Sequence, residues 1–163
     1  SNSVYFLLAG DVRILLRTPG GKEFILADMR AGEVFGELSA IDGKLRSANV
    51  TALTQALVCV AEGPVFKEML ARSPMLSHRL MQLLTQRIRQ LNARMLEHAM
   101  LDIRHNLYAE LLRLSIPRSG HGPIRVATPP PFHHVLAARI GCRREQITRE
   151  LRAMEHEGFL EKA

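Results

Sequence analysis

The sequence predicts an α+β fold: an antiparallel β-roll, then a long helix, then a helix-turn-helix. Three observations carry this expectation. The first 63 residues break into short β-rich runs separated by glycine-containing turns. From Pro64 the apolar period changes from two to about 3.6, and residues 75–98 contain neither glycine nor proline. Near the C-terminus, two short helical patterns flank Gly141.

The elements follow in order. Val4–Leu8 is an apolar run ending at Ala9-Gly10-Asp11. Val12–Leu16 follows, with Val12, Ile14 and Leu16 alternating against Arg13 and Leu15. Thr18-Pro19-Gly20-Gly21 turns the chain into Glu23–Ala27, which is hairpin grammar. After a turn at Ala31-Gly32-Glu33, Ser47–Ala52 and Gln55–Ala61 are two more strands. Because the chain starts inside its first strand, an unpaired edge would remain, and a preceding segment is expected to cover it.

Val65–Arg72 reads as a short helix. Ser73 is placed as an N-cap with Pro74 at the first position of the long helix, Pro74–His98. Its seam is Leu84, Ile88, Leu91 and Met95, spaced 4-3-4 and followed by His98. This seam needs cover, either from its own β-domain or, as favoured here, from a second copy of the chain in a parallel coiled coil. Leu101–Leu114 is a further helix, Ser119–Pro123 a loop, Ile124–Ala127 a short strand and Thr128–Pro131 a polyproline-like connector.

The chain has 163 residues, 47% hydrophobic and 23% charged, which excludes collagen-like and disordered classes. No apolar run reaches the ~18 residues of a membrane span, and no signal peptide opens the chain. A cytoplasmic protein with no membrane partner is expected. Two cysteines, Cys59 and Cys142, cannot build a disulfide framework or a four-ligand zinc cage. Both are expected to be packed thiols, and no metal is expected. No HExxH, P-loop or GxSxG motif supports an enzyme.

The net charge is +6. Between Arg118 and Arg152 lie seven arginines and two glutamates, so most of the excess sits there. That segment holds the sharpest motif. Val135–Ala138 is a short helix, Arg139–Cys142 a turn, and Arg143–His156 a second helix with Ile147, Leu151 and Met154 inward. Phe159-Leu160 starts a strand. Arg143, Arg144, Glu145, Gln146 and Arg149 fall on the exposed first half of the second helix. Arginine forks guanine, glutamate accepts from cytosine and glutamine pairs adenine. His133-His134 opens the first helix and reads as a solvated or phosphate-near pair.

Ile140–Leu151 resembles the recognition helix of the Crp/Fnr family of bacterial transcription regulators. The resemblance implies base contacts from Arg144, Glu145 and Arg149. It also implies a winged helix whose wing follows Leu160, truncated where the sequence ends at Ala163. The same family carries a cyclic-nucleotide-binding roll upstream, and Phe35-Gly36-Glu37-Leu38-Ser39 with Leu45-Arg46-Ser47-Ala48 resembles its phosphate cassette. The chemistry fits a cyclic phosphate. Arg46 can fork the anion, Ser47 can add a hydroxyl, and Gly36 lets the backbone approach. Glu37 suits a ribose 2′-hydroxyl, with Arg46 offsetting its charge. The family's base-contacting pair falls near Leu91-Asn92, where the leucine departs from the polar pattern and Asn92 can still meet a purine.

The expected organisation is a partial cyclic-nucleotide-binding roll over 1–73, a dimerisation helix over 74–98 and a winged helix-turn-helix over 99–163. The expected function is sequence-specific transcription regulation under a cyclic mononucleotide, with cyclic AMP placed ahead of cyclic GMP. Partners are double-stranded DNA with a two-fold symmetric operator, a second copy of the chain, and RNA polymerase. Two alternatives stay open: the same fold with another or no ligand, and a nucleotide-sensing module acting on a protein partner.

Overall fold

The computed structural model describes residues 2–118 and 123–161; all of the loop expected at Ser119–Pro123 except Pro123 lies outside them. The chain divides into two compact units, Ser1–Leu91 and Asn92–Ala163.

The first unit is built from β1 (Val4–Ala9), β2 (Asp11–Arg17), β3 (Glu23–Arg30), β4 (Val34–Phe35), α1 (Glu37–Asp42), β5 (Asn49–Ala52), β6 (Leu57–Ala61), α2 (Gly63–Arg72) and the first part of α3 (Pro74–Met100). Its strands form two three-stranded sheets, β4-β1-β6 and β3-β2-β5, antiparallel at every pairing. Leu7, Val12, Met29 and Phe35 fill the space between strands, and Val4, Ala40 and Phe66 form a second cluster under α1 and α2.

One detail departs from the expected alternation. Val12 and Leu15 are buried, while Leu16 is exposed. The β2–β3 register shifts between Ile14 and Leu15, and such a bulge moves all later side chains to the opposite face. Strand β4, two residues long, was not apparent from the sequence. Cys59, expected to be packed, is exposed on β6, opposite Phe6 in the ladder.

Ser73 ends α2 and starts α3. Its N–H donates to Met69 O, and its hydroxyl accepts from Leu76 N–H at 3.3 Å. The helix then runs two residues further than expected. No residue of α3 is buried in the single chain. Neither α3 nor any other described helix is long and apolar enough to cross a membrane. The two units divide inside α3, not at its ends as the expected boundaries had it.

The second unit holds the end of α3, then α4 (Ile103–Leu114), β7 (Ile116–Pro117), β8 (Arg125–Val126), α5 (His133–Ile140) and α6 (Arg144–His156). Helix α4 starts two residues later than expected because Asp102 caps it. The carboxylate accepts from His105 N–H at 2.8 Å and meets His105 Nδ1 at 2.7 Å, which holds its pKa below the ordinary range. Strand β7 was not foreseen; it pairs antiparallel with β8. The Pro129–Pro131 connector leaves polyproline geometry at its first bond, Thr128–Pro129, which is cis.

Leu107, Leu136, Ala137, Ile140, Ile147, Leu151 and Met154 make the core that joins α4, α5 and α6. Gly141 ends α5 at φ 79°, a left-handed conformation that a side chain disfavours, and its N–H donates to Ala137 O. Phe159-Leu160 is not a strand. The Phe159 N–H closes the end of α6 by donating to Met154 O at 2.9 Å, so it is not available to a ladder. Its ring lies edge-on to Tyr108.

Ile147 is fully buried where α6 meets the rest of this core. Ile147→Ala is expected to lower stability by about 2–5 kcal/mol, measured by urea denaturation of the second unit's transition.

Candidate functional site

The cassette begins at Gly36. It sits at φ 80°, and a Cβ there would lie 2.7 Å from Arg46 Nη1 and 2.9 Å from Ser3 O. Glycine is therefore required twice, by the backbone and by the space. Arg46 fills that space. Its Nη1 donates to Gly36 O at 2.9 Å and to Ser39 Oγ at 2.8 Å, and its Nη2 donates to Ser3 O at 2.7 Å. The guanidinium also lies 5.6 Å from the Tyr5 ring centroid, and Tyr5 in turn stacks on Phe35 at 5.1 Å. These three oxygens are neutral acceptors. They fix a cation beside the start of α1, where a phosphate would compete for its N–H groups.

Glu37 does not pair with Arg46 as expected. It is 4% exposed, and its partner is Arg87, fifty residues later on α3. Arg87 Nη1 donates to Glu37 Oε1 at 2.7 Å and Nη2 donates to Val34 O at 2.7 Å. A carboxylate this buried needs a cation, and the bond requires α3 to lie across the cassette. Arg87 was not singled out from the sequence, since nothing local signals a contact at that separation.

The remaining cassette residues are spread differently. Ser39 is buried and bonded to Arg46; Leu38 and Ser47 are exposed. Leu91 ends the first unit and Asn92 begins the second, both exposed on α3. Along the seam, Leu84 is half-buried, while Ile88, Leu91 and Met95 are 58%, 54% and 69% exposed. Met81, also exposed, extends this stripe at the same 3-4 spacing and was missed.

In the second unit, Arg143 is the N-cap of α6 and Arg144, Glu145 and Arg149 are exposed on it. Arg144, Glu145, Thr148, Arg149 and Arg152 line a shallow hollow. Arg152 was not singled out, although it continues the four-residue ladder from Arg144 through Thr148. Gln146 differs from expectation in what it offers. Its Oε1 accepts from Arg143 N–H at 3.0 Å, so one lone pair of the amide oxygen is committed to the cap of α6. Thr148 Oγ1 donates to Arg144 O at 3.0 Å, which leaves His133 Nδ1 as the donor in its 2.9 Å bond to Thr148 Oγ1. That bond ties α5 to the reading helix. His134 stacks instead on Phe132. Cys142 is half-buried, and burial raises its thiol pKa.

Comparison with known proteins agrees with this geometry. The cyclic nucleotide-binding domain family matches residues 1–73. The chain is 31% identical over 158 residues to the cyclic AMP receptor protein of Thermus thermophilus, covering 97% of this chain and 70% of that protein. It is 28% identical over 160 residues to the CRP-like cAMP-activated global transcriptional regulator of Mycobacterium tuberculosis, covering 96% of this chain and 70% of the other. Among solved structures, the c-di-GMP-responsive global regulator CLP of Xanthomonas campestris superposes with a TM-score of 0.85 at 20% identity. That match covers 99% of this chain and 81% of the other.

Arg87→Met leaves Glu37 buried without its cation. It is expected to cost about 3 kcal/mol, read as a lowered urea midpoint, with the double variant Glu37→Leu/Arg87→Met recovering most of the loss.

Proposed function

We propose how this chain works from one premise: it belongs to the Crp/Fnr family of transcription regulators. Regulators of this family bind DNA as dimers. The chain is a ligand-controlled DNA-binding regulator and not an enzyme.

The effector we assign is cyclic AMP. The observation that carries this is Arg46, held by Gly36 O, Ser39 Oγ and Ser3 O at the head of the cassette. The names of the relatives, a cyclic AMP receptor protein and a cAMP-activated regulator, point the same way. In this reading the cyclic phosphate takes N–H groups of Arg46 from Gly36 and Ser39, and Ser47 adds its hydroxyl. Glu37 accepts from the ribose hydroxyl while Arg87 neutralises it. The DNA side rests on Arg144, Glu145 and Arg149 reading base edges in the major groove, with Arg143, Gln146 and Arg152 nearest the phosphates. The dimer forms through Met81, Leu84, Ile88, Leu91 and Met95, whose exposed stripe has the spacing of a two-chain seam.

Control then follows from bond exchange. Arg46 and Ser39 loosen from Gly36, α1 adjusts, and Glu37 carries the change to Arg87 on the seam helix. The two recognition helices reach a separation of about one turn of DNA, ~34 Å.

Calorimetric titration of the homodimer with cyclic AMP, and with cyclic GMP for comparison, tests the assignment. Saturable cyclic AMP binding is expected, weakened about 10–100-fold in Arg46→Ala, with a melting curve confirming that the variant is folded. Equal binding in Arg46→Ala, or no heat from either nucleotide, contradicts it and moves the search to another effector.

A further inference from the structure

Glu110 stands apart from both sites. It lies on α4 with its side chain 3% exposed, and it gathers arginines from three helices. Arg139 of α5, itself 5% exposed, donates from Nη1 to Glu110 Oε1 at 3.1 Å. Arg113, one turn along α4, donates from Nε to Oε2 at 3.0 Å. Arg94 of α3 places Nη2 3.6 Å from the same oxygen. Arg113 also forks Glu97 of α3, at 2.7 Å and 2.9 Å to Oε2 and 3.1 Å to Oε1.

Every one of these residues belongs to the second unit. A buried carboxylate with a buried arginine is a poor choice for stability alone, since an apolar pair of similar volume serves as well or better. Its attested use is to impose one geometry where apolar packing would tolerate several. Here the fork of Arg113 on Glu97 fixes direction as well as distance, and Arg139 adds its bond to Glu110 Oε1. The groups so fixed are the last turns of the seam helix, α4, and the helix that is hydrogen-bonded to the reading helix through His133.

We propose that Arg94, Glu97, Glu110, Arg113 and Arg139 form an ionic latch that sets the angle of the helix-turn-helix on the last turns of α3. The latch thereby fixes the half-site spacing that the dimer accepts. The inference rests on the dimeric DNA-binding reading above. None of the five residues reads bases; they are positioning residues, and their effect belongs to spacing and not to contact. In a dimer, a small error of angle at each α3 end displaces each reading helix at the far side of the unit. Successive base pairs differ by ~3.4 Å and about a tenth of a turn, so spacing is the sensitive quantity.

The test uses the full chain as a homodimer, with cyclic AMP present throughout. Operators are selected from a random-sequence duplex pool by the wild type, then re-spaced by single base pairs; a single half-site duplex serves as control. The wild type is expected to lose about tenfold in affinity per base pair of spacing error, the size of a mismatched base pair. Arg94→Met/Glu97→Gln changes only the partly exposed α3 side of the latch. It is expected to bind the single half-site within about twofold of wild type, yet to discriminate spacings by less than about threefold. Glu110→Leu/Arg139→Met, which removes both members of the buried pair and leaves Arg113 on Glu97, is expected to behave alike. Wild-type discrimination in either folded double variant overturns the latch alone, with the DNA-binding reading intact. Failure of the wild type to enrich any sequence overturns that reading and the latch with it.

Discussion

The bond between Glu37 and Arg87 is the constraint on which the account depends. A carboxylate buried at the head of α1 is costly to leave without a partner, and the chain supplies an arginine from the middle of a helix fifty residues away. Arg87 also holds Val34 O, so one guanidinium ties the cassette helix, the short strand before it and the seam helix together. Any adjustment of α1 is felt on α3 because the alternative is an unpaired buried charge. Arg46 has the opposite character. It is held by neutral oxygens that an anion can displace, beside a glycine whose missing side chain makes the room. A displaceable cation next to one that is committed is a workable arrangement for a sensor.

The second unit repeats this division of labour. Its apolar core fixes α4, α5 and α6, and ionic and hydrogen-bonded links set their finer geometry. The arginines at the start of α6 stay free of that framework. Arg144 and Arg149 are exposed, and the nearest carboxylate to Arg149 is 3.5 Å away on its neighbour Glu150. Exposed charge costs little when unbound, which suits the DNA contacts proposed for these arginines.

Much of this was legible in the sequence, and the reasons differ by element. The roll hairpins, the long helix and the helix-turn-helix were visible because their signals are local: turn glycines, period and caps. Gly36, Arg46 and the start of α6 were singled out because motifs of fixed spacing carry them. Other features were not legible. The bulge at Ile14/Leu15 inverts an alternation that looks regular on paper. Phe159-Leu160 has strand composition, but its backbone closes a helix. Arg87 lies 50 residues from Glu37 and Arg139 lies 29 from Glu110, where spacing carries no information and only the folded chain brings charges together.

Hydrogen exchange of the homodimer, with and without saturating cyclic AMP, addresses the central claim most directly. If Glu37 and Arg87 transmit the effector's arrival, amide protection must change together over residues 36–42 and around Arg87 on α3. A change confined to 36–42, with α3 unaltered, would contradict the account.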